Sequence, residues 1–329
     1  MDLFDDAQRR EDAAPFERLA CKALTAYGLE DARLDLVSRG EHVVFRALDP
    51  GSRTAYALRV HPRGRAREQI LRTLLWLASL HRETDAVVPE PILTRSGDLT
   101  QSLSAPGVPG FRQVSLAAWL DGQVRPIGEW TPENAERLGR AVGTLHRHAS
   151  TFRLPDTLAP DQREPSARLD EIDPDRLSHA LGAERRALLS RAVDLARQTI
   201  APIESNPTVA GLIHGSPTPE HVLFGEEALG LIGFGGCRWG LFADDLAVID
   251  FGLRRCDDPG ALRAGLLAGY AAEHSLPIDV EASFDALVVL RLLDELHDRA
   301  LEPDRRDAAA RRAIERILRQ LARLIERAP

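Results

Sequence analysis

The residues of this chain that are able to do chemistry crowd into one stretch, Leu212–Ala247, which reads LIHGSPTPEHVLFGEEALGLIGFGGCRWGLFADDLA. It opens on His214-Gly215-Ser216, passes through Glu220-His221, and closes on Cys237 and the pair Asp244-Asp245. Ser216 offers a hydroxyl, which holds a hydrogen bond but carries no negative charge and is no useful base at neutral pH. As a nucleophile it would need a His–Asp relay, and none is evident around it. The imidazole of His221 suits zinc or another transition metal better than magnesium. A metal cluster drawn from His214, His221, Cys237 and Asp244 contains no ligand pair at a recognised zinc spacing. Glu220, Asp244 and Asp250 are the carboxylates left for acid–base or metal work.

These residues need elements to position them. Strand-like runs come early: 34–38, 42–48 and 54–61, split by Ser38-Arg39-Gly40-Glu41 and Asp49-Pro50-Gly51-Ser52 turns, and then 111–119. Two helices accompany them. Phe16, Leu19, Ala20, Ala23, Leu24 and Tyr27 recur at helical spacing until Gly28, after a polar segment 1–14 expected to fray. Ile70, Leu74, Leu77 and Leu80 form the apolar stripe of a helix over 66–81. From Thr131-Pro132-Glu133-Asn134, a good helix start, the chain turns mainly helical. Helices are expected over 131–148, 177–205, 259–274, 282–301 and 305–327, with a Pro-rich loop at 153–165. The stripe Ile314, Ile317, Leu321, Leu324 reads as core packing. The lobes are expected to divide as 1–119 and 120–329.

Composition narrows the classes. A chain of 329 residues with 44% hydrophobic content supports a sizeable core in one bilobal unit or two modest domains. A net charge of −8 argues against nucleic acid as a bulk partner, and the runs 63–67 and 305–312 read as solvated surface. Lys22 is the only lysine, so a mechanism needing one elsewhere is excluded. Three cysteines at irregular spacing do not form a disulfide framework. No secretory signal opens the chain, and no run approaches the roughly 18 apolar residues of a membrane span, so a cytoplasmic location without membrane contact is expected.

Several motifs in order resemble the phosphotransferase enzyme family, which includes aminoglycoside phosphotransferases, homoserine kinases, choline kinases and a bacterial stress-response kinase. That family carries H-G-D-x-x-x-x-N-x-L-F, a short hairpin, I-D-F/W-G and D-L-A. Here His214, Gly215, Val222, Leu223, Phe224, Ile232, Phe234, Gly235, Asp245, Leu246 and Ala247 match. Leu58-Arg59-Val60-His61 resembles the third strand of one subgroup, and Leu138–His148 (LGRAVGTLHRH) its "LG..LA.LH" helix. The resemblance covers roughly residues 15–300. It implies an α+β, bilobal protein-kinase-like fold: a small antiparallel-sheet lobe, a mainly helical lobe, and a nucleotide cleft between them.

At the chemical positions the chain departs from the pattern. Ser216 stands where the catalytic Asp is expected, His221 where the metal-binding Asn is, and Gly233 where the metal-binding Asp is. Asp250 spells a second I-D-F-G, but its distance from His214 does not fit and a helix-surface or capping role is expected. By the resemblance, His214 structures the loop and Asp245 braces it. Arg59 takes the phosphate-gripping position, with Gly40 in the hairpin turn and Trp119 at the lobe boundary completing the candidate nucleotide contacts. The helix partner of Arg59 aligns with Thr73 rather than with Glu68. The leading expectation is a pseudokinase: a binding or regulatory module that takes a small molecule, a nucleotide held weakly without magnesium, or a protein partner in its cleft. The alternatives are an atypical ATP-dependent phosphotransferase acting on a hydroxyl group, and a structural protein with the cleft filled by side chains of Arg39, Glu41, Arg59 or Trp119.

Overall fold

The structure, a computed structural model, describes residues 3–40, 42–159, 169–204, 206–225, 228–275, 280–301 and 308–327. Glu41, part of the 153–165 loop and part of the 305–312 run lie outside the described residues. The chain forms two compact units. Unit 1 comprises residues 1–123, 152–160 and 223–235, and unit 2 comprises 124–151, 161–222 and 236–329.

Unit 1 begins with helix α1 (Leu3–Leu24), which starts well before the expected fraying ends. Gly28, at φ +74°, closes the turn that follows. Strands β1 (Arg33–Arg39), β2 (Val43–Leu48) and β3 (Ala55–Val60) form at the expected strand-like runs, followed by helix α2 (Arg67–Glu83). Two short strands, β4 (Pro91–Ile92) and β5 (Gln101–Leu103), precede β6 (Arg112–Ala118). All pair antiparallel in the order β1-β2-β3-β6-β4, with β5 also on β6. Period-2 alternation sends Val43, Phe45, Leu58, Val60, Val114 and Leu116 to one face, where Leu19, Ala20, Ala23 and Leu24 of α1 cover them. Arg59 and Ser115, paired across β3 and β6, point to the other face.

Unit 2 is helical around one small ribbon. Its elements are α3 (Pro132–Thr151), α4 (Pro174–Leu181), α5 (Arg186–Glu204), β7 (Ala210–Ile213), and the strand β8 (Val222–Phe224), which pairs with β9 (Leu229–Leu231) as the chain enters unit 1. Then come β10 (Arg238–Leu241), α6 (Phe242–Leu253), α7 (Pro259–Ala271), α8 (Phe284–Leu301) and α9 (Ala308–Arg327). The helix expected over 177–205 is two, because Gly182 at φ +122° leaves the helical region between α4 and α5. Thr131 and Asn134 exchange capping hydrogen bonds at the start of α3, at 3.2 and 3.3 Å. Glycines let α3 and α7 touch backbone to backbone: a Cβ on Gly139 would lie 2.1 Å from the Leu266 carbonyl oxygen, and one on Gly269 would lie 2.0 Å from that of Glu136. Ile314, Ile317, Leu321 and Leu324 of α9 are buried, as the stripe predicts.

Candidate functional site

Strand β7 delivers His214, Gly215 and Ser216 to the end of its two-stranded ribbon with β10. Gly215 turns the chain at φ +79°, and its Cα faces the Gly236 carbonyl so closely that a Cβ would lie 2.1 Å from that oxygen. Asp245, fully buried in the first turn of α6, accepts from the backbone N–H groups of His214 and Gly215, both at 2.8 Å. His146 of α3 donates from Nε2 to the same carboxylate at 3.1 Å. The hydroxyl of Tyr270, from α7, lies 3.0 Å from the other ring nitrogen of His146. Burial, then the charge of Asp245, raises the Tyr270 pKa, so its proton stays and donates to Nδ1. Phe242 stacks on the His146 ring at 4.6 Å. Burial alone would raise the Asp245 carboxyl; the His146 hydrogen bond, the electrostatic pull of the His146 and His214 rings and the Gly215 N–H outweigh it and hold the group below its ordinary range.

The loop is tied in on itself as well. The Ser216 N–H donates to Nδ1 of buried His214 at 3.2 Å. Nδ1 of His221, in the short turn Pro219–His221, lies 2.7 Å from the Ser216 carbonyl oxygen. That oxygen can only accept, so Nδ1 of His221 carries the proton. Two arginines close the loop from unit 2. Arg238 reaches the carbonyls of Gly215 and Gly236, each at 3.3 Å, and pairs with Asp244. Arg291 of α8 bonds the Gly215 carbonyl and donates from Nη2 to the Ser216 hydroxyl at 3.0 Å. A cation therefore bonds the side chain that stands where a base is expected.

Other candidates have their own partners. Asp250 is only 2% exposed, not on the helix surface as expected, because Arg254 grips it at 2.7 and 3.0 Å and Arg263 stands at 3.6 Å. Glu220 is exposed. Among the described residues no three His, Cys, Asp or Glu side chains gather as a metal site.

Gly40, Arg59, Trp119 and Gly233 belong to unit 1. Gly233 is left-handed, φ +84°, and its carbonyl accepts from Gly235 N–H at 2.7 Å. The Gly235 carbonyl in turn accepts from Arg65 at 2.6 Å, and a Cβ on Gly235 would meet the His42 ring. Burial, with the positive charges of Arg59 and Arg65, lowers His42 to about 3, so its ring is neutral. Trp119 lies under the Arg46 guanidinium, 5.4 Å from the ring centre. Gly40 lies in the β1–β2 turn, its N–H bonded to the His42 carbonyl at 3.0 Å. Thr73, aligned with the partner position of Arg59, spends its hydroxyl on the Gln69 carbonyl of its own helix at 3.1 Å.

A magnesium–nucleotide site of the expected kind does not fit these residues. Gly233 has no side-chain ligand and its carbonyl accepts from Gly235, His221 has one ring nitrogen committed to the loop, and the Asp244 carboxylate is neutralised by Arg238. Arg238 and Arg291 escaped the sequence reading, because neither lies in a motif.

An antiparallel-sheet lobe, a helical lobe and a His-Gly loop braced by a following Asp define a protein-kinase-like fold. The chain belongs to the phosphotransferase enzyme family, which matches residues 35–280. Among solved structures it is similar to a microcompartment-associated aminopropanol kinase, at 25% identity and TM-score 0.76, covering 94% of this chain and 96% of that one. An amicoumacin kinase in complex with AMP-PNP and Ca2+ (16% identity, TM-score 0.68, 90% and 89% covered) and a spectinomycin phosphotransferase bound to ADP (14%, 0.61, 92% and 95%) share the fold. The sequence matches none of the curated proteins.

Proposed function

We propose that this chain is a catalytically inactive member of its family, a pseudokinase that works by binding a small molecule or nucleotide. The observation that carries this is the Arg291–Ser216 hydrogen bond. Phosphoryl transfer to a hydroxyl needs an acceptor for its proton and a metal to gather phosphate charge. Here a neutral hydroxyl already accepts from an arginine, and Gly233 brings no metal ligand. Arg59 leaves a phosphate contact that needs no metal. The three cysteines, none in a disulfide, suit a reducing compartment such as the cytoplasm.

Similarity to the aminopropanol kinase favours a second reading, an active phosphotransferase acting on a hydroxyl. Glu220 is then its best base, since Asp244 and Asp250 are held by arginines.

A coupled assay of ADP release, with amino-alcohol, amino-sugar and hydroxy-amino-acid acceptors, separates the two. The native chain is expected to be silent. Ser216→Asp alone is expected to stay silent, because the new carboxylate would pair with Arg291 instead of taking a proton. The triple change Ser216→Asp, His221→Asn, Gly233→Asp is expected to give limited turnover, since base and metal ligands act as a unit. Robust native turnover that Glu220→Ala abolishes would establish the second reading.

A further inference from the structure

Unit 1 holds a cavity of about 250 Å3 at one end of its sheet, walled by Phe16, Val43, Val60 and Pro62 and by Arg39, Gly40, His61 and Arg112. Val43 and Val60 are direct partners across β2 and β3 and lie on the face that α1 covers. Arg59, next to Val60 in the strand, points to the opposite face. The cavity therefore lies on the face away from Arg59, although it shares Gly40 with the candidate nucleotide contacts.

Arg112 is the unusual wall. Its guanidinium lies 5.9 Å from the Phe16 ring centre. Its Nε is buried with no hydrogen-bond partner among the described residues. Burial and the like charge of Arg63 both act against its positive charge. A buried donor left unmet costs about 1–3 kcal/mol, more when charged. A water would meet the donor but leave the charge. An oxyanion meets both, since Nε–H and the neighbouring Nη–H form a fork that pairs a carboxylate through two parallel bonds. Phe16, Val43, Val60 and Pro62 make its apolar wall, Arg39 adds a second positive charge and burial holds His61 neutral, and the volume lies below the roughly 300–1,000 Å3 of drug-sized sites. A single ring or short chain fits it.

We propose that this cavity binds a small monocarboxylate with a compact apolar body, its carboxylate on Arg112 and its body against Phe16, Val43 and Val60. Benzoate is the probe, with benzamide as its neutral analogue and inorganic phosphate as an anion without a body. Calorimetric titration of the full chain is expected to show saturable benzoate binding. Benzoate should also raise the melting temperature, while both controls at equal concentration and ionic strength leave it unchanged. Arg112→Gln, and Arg112→Lys, which keeps the charge but loses the fork, are each expected to weaken benzoate by about ten-fold or more. The lysine variant preserves the test if the glutamine variant does not fold. Absence of saturable binding, equal binding of benzamide or phosphate, or undiminished affinity in a folded Arg112 variant overturns the proposal.

Discussion

At the scale of single residues, the loop around Ser216 keeps its architecture and exchanges its chemistry. Asp245 shows what the architecture is worth. Its carboxylate receives three buried N–H groups, from His214, Gly215 and His146. Asp245→Ala strands all three, and is expected to cost about 3–5 kcal/mol at pH 7 by urea denaturation. The folded carboxyl titrates below its ordinary value. Its contribution is thus complete above the unfolded pKa of about 3.9 and is lost as pH falls through the folded value. The stability gap between native and Asp245→Ala chains should therefore narrow in acid, and a gap that stays constant down to pH 3 would contradict this account. Gly233 poses a smaller obstacle to restoring chemistry than Arg291 does. Its φ of +84° is one that Asp tolerates better than most residues.

At the scale of elements, the close crossing of α3 and α7 places Tyr270 on His146, and His146 on Asp245. Gly139 and Gly269 permit the crossing, each facing a backbone carbonyl. Gly269→Ala is expected to destabilise by about 3 kcal/mol or more, because backbone rather than a flexible side chain must give way. Gly260→Ala, in the same helix, meets nothing closer than 3.6 Å. It should be neutral or stabilising by up to about 1 kcal/mol. Chemical denaturation of the two variants tests the contrast, and equal midpoints would contradict it. Most of these elements were legible in sequence, since β1–β3 are β-rich runs split by turn residues, α2 carries an apolar stripe and α3 opens on a clear helix start. The two-residue strand β4 and the ribbon β7–β10 were not. They are too short for a period to register, and tertiary pairing decides them. The site divides in the same way. His214 and Asp245 were readable because they stand in contiguous motifs. Arg291 lies in no motif, and only the fold brings it onto Ser216. Asp250 misleads in the opposite direction, reading as helix surface while Arg254 and Arg263 bury it.

At the scale of the whole molecule, the chain has the fold of its family. The sheet of unit 1 retains its apolar face against α1, and the helices of unit 2 retain the braced loop. On the function proposed above, three side chains of the family pattern are replaced: a carboxylate by Ser216, an amide by His221 and a carboxylate by Gly233. The central claim is that this fold no longer organises a metal–nucleotide complex, and isothermal titration with ATP tests it most directly. Run once with excess Mg2+ and once with EDTA, the titration is expected to give a Kd above about 0.1 mM in both, equal within about two-fold. Tight binding in Mg2+ that the chelator abolishes would contradict the account.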